Sequence, residues 1–187
     1  MNAGIEPMRI HLIALCALTA AMSSAVAQTP TPTVVEPSAT VTGVTVTHAG
    51  SFTGQSTSKP AEAGQQSPTR TVGTVSDWHF VSDSTDVDGK VGTQVGIEFR
   101  IDGAPADAAV TVHLALTFPP KGIRNPNTGE RMQSATIAFP NMKIGALCLV
   151  GYGFGNAWEI VPGEWKMQIM YHDRALAERT FTISKPE

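Results

Sequence analysis

Gln94-Val95-Gly96-Ile97-Glu98-Phe99-Arg100-Ile101 is the stretch that decides the fold. Val95, Ile97, Phe99 and Ile101 fall on one side of an extended chain, and Gln94, Gly96, Glu98 and Arg100 on the other. Successive side chains of a strand point to opposite faces, so this alternation predicts a strand with one buried face. The next apolar run repeats it. Val110, Val112, Leu114, Leu116 and Phe118 share a face against Thr111, His113, Ala115 and Thr117. Trp165, Met167, Ile169 and Tyr171 do so again, and weaker strands fall at Val44/Val46, Trp78/Phe80 and Ile137/Phe139. Ile144 to Val150 has no polar face and predicts a central strand covered on both sides. Asp88-Gly89, Asp102-Gly103, Pro119-Pro120, Pro162-Gly163 and Asp173-Arg174 supply turns between the runs. Leu176 is out of phase with Phe181 and Ile183, which predicts a bulge near Ala177. No helical period stands out beyond residue 27. The expected fold class is all-β, an immunoglobulin-like antiparallel sandwich of about seven or eight strands. Its core would include Phe99, Leu114, Trp165, Tyr171 and Phe181.

Composition agrees with an exported β domain. The chain has 187 residues, 17 Gly and 13 Pro, a charged fraction of 16% and a net charge of -3. Soluble domains usually carry about 25% charged residues. A helical bundle would hold more Glu, Lys and Arg. Thirteen Lys+Arg against 16 Asp+Glu give no basic excess, so no nucleic-acid partner is expected. Two Cys exclude a disulfide scaffold.

The N-terminus reads as a secretory leader over residues 1–27. Met8-Arg9 is a positive flank, and Met8 is as good a start as Met1. Ile10 to Ala21 is an apolar core, and Ala25-Val26-Ala27 is a small-x-small cleavage pattern. The apolar run is short for a membrane span, which needs about 20 residues, so no transmembrane helix is expected in the mature chain. Cleavage near Ala27 predicts a periplasmic or secreted protein. It also removes Cys16 and leaves Cys148 alone in an apolar run, where a buried thiol is the simplest reading. Residues 28–40 are rich in Thr and Pro and read as a linker, which leaves 41–187 as one domain. Ser56 to Thr69 reads as a mobile hairpin loop.

The C-terminal third carries the most specific motifs. Val150-Gly151-Tyr152-Gly153-Phe154 precedes Trp158-Glu159-Ile160-Val161-Pro162-Gly163-Glu164-Trp165, then Tyr171, Leu176-Ala177-Glu178 and Phe181. Upstream stand Asn125-Pro126-Asn127-Thr128-Gly129 and Val91-Gly92-Thr93. Over roughly Val44 to Ser184 the chain resembles an uncharacterised bacterial family of exported domains of unknown function. His172 stands where members of that family carry Gly. The resemblance implies a single β-sandwich domain and supplies no activity, ligand or catalytic residue.

Candidate sites follow from side-chain chemistry. Tyr152 and Trp158 flank a turn beside bare glycines, and aromatic faces there would stack on sugars or peptide side chains. Arg124, Asn125 and Asn127 lie in a polar loop suited to an anionic partner. Asp83, Asp86 and Asp88 precede Gly89, but Val95 stands where a calcium loop needs Glu. His48, His79, His113 and His172 lack metal-ligand spacing, so no metal or other cofactor is expected. No Gly-x-Ser-x-Gly elbow occurs. Glu159 and Glu164 flank the Trp turn and would make an acid–base pair only across a cleft; otherwise they hold the turn. No catalytic residue is assigned. The function expected is a non-enzymatic exported binding or accessory module for a protein, peptide or glycan of the envelope. The alternatives are a structural subunit of an envelope assembly joined through an edge strand, and a small hydrolase using Glu159 or Glu164.

Overall fold

The computed structural model describes residues 38–184. The predicted leader, the choice of start and the linker up to residue 37 lie outside them. The strands are β1 (Thr40–Pro60), β2 (Thr71–Ser82), β3 (Asp86–Asp88), β4 (Gln94–Ala104), β5 (Ala109–Thr117), β6 (Ile123–Arg124), β7 (Arg131–Met132), β8 (Ser134–Lys143), β9 (Leu147–Gly153), β10 (Gly163–Tyr171) and β11 (Arg174–Ser184). Among the described residues a single 3-10 turn spans Ala157–Glu159. No described helix is long and apolar enough to cross a membrane.

Two sheets form the sandwich, in the orders β2-β1-β4-β9 and β3-β11-β10-β5-β8, with β6-β7 as a small ribbon. The inward faces are those the alternation predicts. Val95, Ile97, Phe99 and Ile101 of β4 meet Val112, Leu114 and Leu116 of β5 and Trp165, Met167 and Ile169 of β10 in one buried cluster. Trp165 sits among Phe118, Tyr152 and Phe154, with ring centroids 4.8, 5.3 and 5.2 Å away. Its indole N–H donates to the Val161 carbonyl at 2.8 Å, so burial leaves no polar atom unpaired. Phe181 is buried beside it. Tyr171 is only half-buried, because it closes β10 at the hairpin tip. The predicted bulge is present: Ile169 pairs with Ala177 and Met170 with Ala175, which leaves Leu176 as the extra residue.

Two expectations need correction. Ile144 to Val150 is not a central strand. Ile144 lies in a turn, and β9 is the outermost strand of its sheet, paired only with β4. Cys148, Val150 and Tyr152 face inward, while Leu147 is 41% exposed. The run lacks a polar face because its outward positions are Leu147, Leu149 and two glycines, with the two leucines opposite Arg100 and Glu98 of β4. Ser56 to Thr69 is not a free loop either. Ser56 to Pro60 belong to β1 and pair with Val75 to Thr71 of β2. The turn that follows is bonded to the opposite sheet: Gln66 N–H donates to Thr136 O at 2.9 Å. Asn125 Nδ2 donates to Pro68 O at 2.9 Å.

Candidate functional site

The outward face of β2-β1-β4-β9 carries an aromatic cluster separate from the core. Outer faces of sandwich sheets are normally polar, so a cluster there calls for a cause. His48 pairs with Glu98, Gly50 with Gly96, and Phe52 with Gln94, which sets these residues on the face opposite Ile97 and Phe99. Gly96 and Gly151 make the floor. A Cβ on either would come within 2.9 or 3.1 Å of the Phe52 ring, so only glycine leaves room for it. Phe52 settles there and is 4% exposed. Phe80 of β2 lies 5.9 Å from Phe52, and His48 stacks on Phe80 at 5.2 Å with 25° between the ring planes.

Glu98 fixes the next aromatic. Its residue is 8% exposed, yet its carboxylate has two donors: Thr47 Oγ1 to Oε1 at 2.7 Å, and Trp78 Nε1 to Oε2 at 2.8 Å. Thr47 reaches this face because the β1–β4 register slips between Val46 and His48. The charge-assisted bond orients the Trp78 indole. Trp78 and Phe80 remain half-exposed. His48 Nδ1 lies 2.9 Å from Asp83 Oδ1 and its Nε2 lies 4.0 Å from Glu98 Oε1. An open polar depression beside the cluster is bordered by Thr47, His48, Asp83 and Arg179. The result is an aromatic platform whose rings are already held in place. Trp78/Phe80 alone predicts only a weak strand, which is why the platform is not legible in the β2 sequence. The usable signal was Gly96 and Glu98 alternating on the face opposite the core of β4.

The sequence-derived site residues divide. Tyr152 is no surface aromatic: it is 7% exposed, and its hydroxyl donates to Glu159 Oε2 at 2.6 Å. Burial raises its phenol pKa, and the Glu159 charge and the hydrogen bond raise it further. Glu159 is 1% exposed and also accepts from Asn156 Nδ2 at 2.7 Å. Both its oxygens therefore lock the turn between β9 and β10. Glu164 is exposed on β10, opposite Thr182. Asn125 is buried. Besides its bond to Pro68, its Oδ1 accepts from Asn127 N at 2.9 Å, an Asx turn that shapes the loop. Arg124 and Asn127 are exposed, and Trp158 is half-buried. β6 packs on the 3-10 turn, so Arg124 and Trp158 belong to neighbouring elements. Cys148 is a free buried thiol whose pKa is raised by burial. Among the described residues no group of three His, Cys, Asp or Glu is placed to hold a metal ion.

Residues 43–183 match the family described as "Domain of unknown function (DUF3859)". The chain belongs to that family. No curated protein matches it. Among solved structures, this DUF3859 chain is similar to an immunoglobulin-like protein, PA1606, from Pseudomonas aeruginosa. The two are 21% identical with a TM-score of 0.51, over 75% of this chain and 95% of that one. At that identity the likeness shows the immunoglobulin-like fold alone. His172 has φ 50 at the β10–β11 tip, a left-handed conformation that favours glycine.

Proposed function

We propose that this DUF3859 chain is a non-enzymatic, exported binding or accessory module of the periplasm or cell exterior, and that its ligand docks on the outward face of β2-β1-β4-β9. One observation carries the reading: a buried carboxylate, Glu98, holds the half-exposed Trp78 indole on the strand that also carries Phe80. Desolvating a carboxylate is costly, and its return here is an aromatic surface that loses little freedom on binding. Such faces take the C–H face of a sugar ring or an apolar peptide side chain. A hydrolase acting through Glu159 is disfavoured by the engagement of both its oxygens.

A second surface is favoured by the packing of β6 on the 3-10 turn. Trp158, Arg124 and Asn127 at that end would suit an anionic or aromatic partner. One experiment separates the two. The chain is immobilised and exposed to envelope extract, and retained material is classed by protease or periodate sensitivity. Trp78→Ala should reduce retention about tenfold or more, the usual effect of removing a central Trp, while Trp158→Ala retains it. The reverse pattern moves the site to the Trp158 end. Equal retention by both folded variants overturns both surfaces.

A further inference from the structure

The four outer edges of the two sheets are not alike. β8 contains Pro140 and a left-handed Asn141 (φ 63), and its register slips against β5. The 61–70 turn is also bonded along it, through Gln66 N to Thr136 O and Gln65 Nε2 to Ala138 O. β3 has three residues with exposed aspartates at both ends. β2 is broken by register slips against β1 and by left-handed Asp77 (φ 51). Shortness, proline, bulges, charge and covering loops are the devices by which proteins block edge-to-edge pairing.

β9 has none of them. It pairs with β4 from Gly153↔Gln94 to Leu147↔Arg100 without a slip. Residues 144–153 contain no charge and no proline. Among the described residues, the backbone of 148–152 makes no hydrogen bond outside the β4 ladder. Leu147 is the one apolar side chain of this strand left largely exposed.

We propose that β9 pairs antiparallel with β9 of a second copy of this chain. The strand is complementary to itself about Val150. In that register Leu149 lies opposite Gly151 and Leu147 opposite Gly153, so each outward leucine meets a residue without a side chain. Gly153 has space for it, since a Cβ there would meet only Gln94 Cγ at 3.5 Å. Cys148 falls opposite Tyr152 on the inward face. The pairing joins two sheets into one of eight strands, β2-β1-β4-β9-β9-β4-β1-β2. The two-fold axis stands perpendicular to the sheet, so both Trp78 faces lie on the same side of the dimer. The pairing edge is separate from the aromatic face, so β9 can pair whether or not that face binds a ligand.

Two measurements on the full chain test it. In sedimentation velocity the wild type should be a dimer, and Leu149→Lys should be a monomer with unchanged circular dichroism. In oxidative cross-linking, Leu147→Cys/Gly153→Cys should form a covalent dimer that neither single variant forms. Within one chain these positions are the ends of a seven-residue strand, roughly 20 Å apart, too far for a disulfide. A wild type that stays monomeric at high concentration, a dimer that survives Leu149→Lys, or cross-linking by a single variant equal to that of the double would each overturn the proposal. So would a monomer whose β9 is protected only by a foreign peptide.

Discussion

Tyr152→Phe removes one oxygen and leaves every ring contact in place. In the wild type, the Tyr152 hydroxyl is the donor to Glu159 Oε2 at 2.6 Å, and Asn156 serves the other oxygen. Glu159 is almost fully buried, so the variant strands one carboxylate oxygen where water has little access. Hydrogen bonds to charged groups contribute about 1.5–3 kcal/mol, and we expect a loss of about 2–3 kcal/mol at pH 7. For a domain of this size that lowers the melting midpoint by roughly 4–12 °C. A pH signature separates this bond from general damage. Burial, the Glu159 charge and the donated hydrogen bond all push the Tyr152 pKa up in the native state. The native state therefore holds that proton more tightly than the unfolded chain, whose tyrosine titrates near pH ~10. The stabilisation is complete below that pH and is lost as pH rises above it, by up to about 1.4 kcal/mol per pH unit. Urea unfolding of both proteins from pH 7 to 11 measures it. The gap between them should be constant to about pH 10 and then narrow. Equal stability at pH 7, or a gap that widens in alkali, would refute the reasoning.

Trp165→Ala should destabilise the fold by about 3–5 kcal/mol, because it empties the centre of the aromatic cluster; an unchanged unfolding midpoint would contradict that. His172→Gly should raise stability by up to about 1 kcal/mol by relieving a left-handed non-glycine residue. His172→Val should lower it, since a β-branched side chain tolerates that conformation poorly. Chemical denaturation of the pair checks the sign of both.

Where a strand buries one face and exposes the other, its sequence was readable. β4, β5 and β10 alternate cleanly, and their inward residues are the core. Leu176, out of phase by one residue, located the bulge. Legibility failed where both faces carry apolar residues. β9 looked central because Leu147 and Leu149 stand on the outer side, and nothing local distinguishes that side from a second core. Trp78 and Glu98 are 20 positions apart in sequence, and only the β2-β1-β4 order brings an indole on one outer strand to a carboxylate two strands away. Tyr152 looked like a ligand-facing aromatic because glycines flank it. Those glycines serve other ends: Gly151 makes space for Phe52, and Tyr152 turns inward to Glu159. Asn125 lies in a polar loop that suggests a partner-facing group, yet its amide N–H donates to the Pro68 carbonyl, a contact across the fold that no local pattern announces.

Hydroxyl-radical footprinting of the wild-type chain, with and without the material retained from envelope extract, tests the outward face most directly. Bound material should protect Trp78 and Phe80 from oxidation and leave Trp158 as reactive as in the free protein. Protection of Trp158 with Trp78 fully reactive would contradict the assignment of the binding surface.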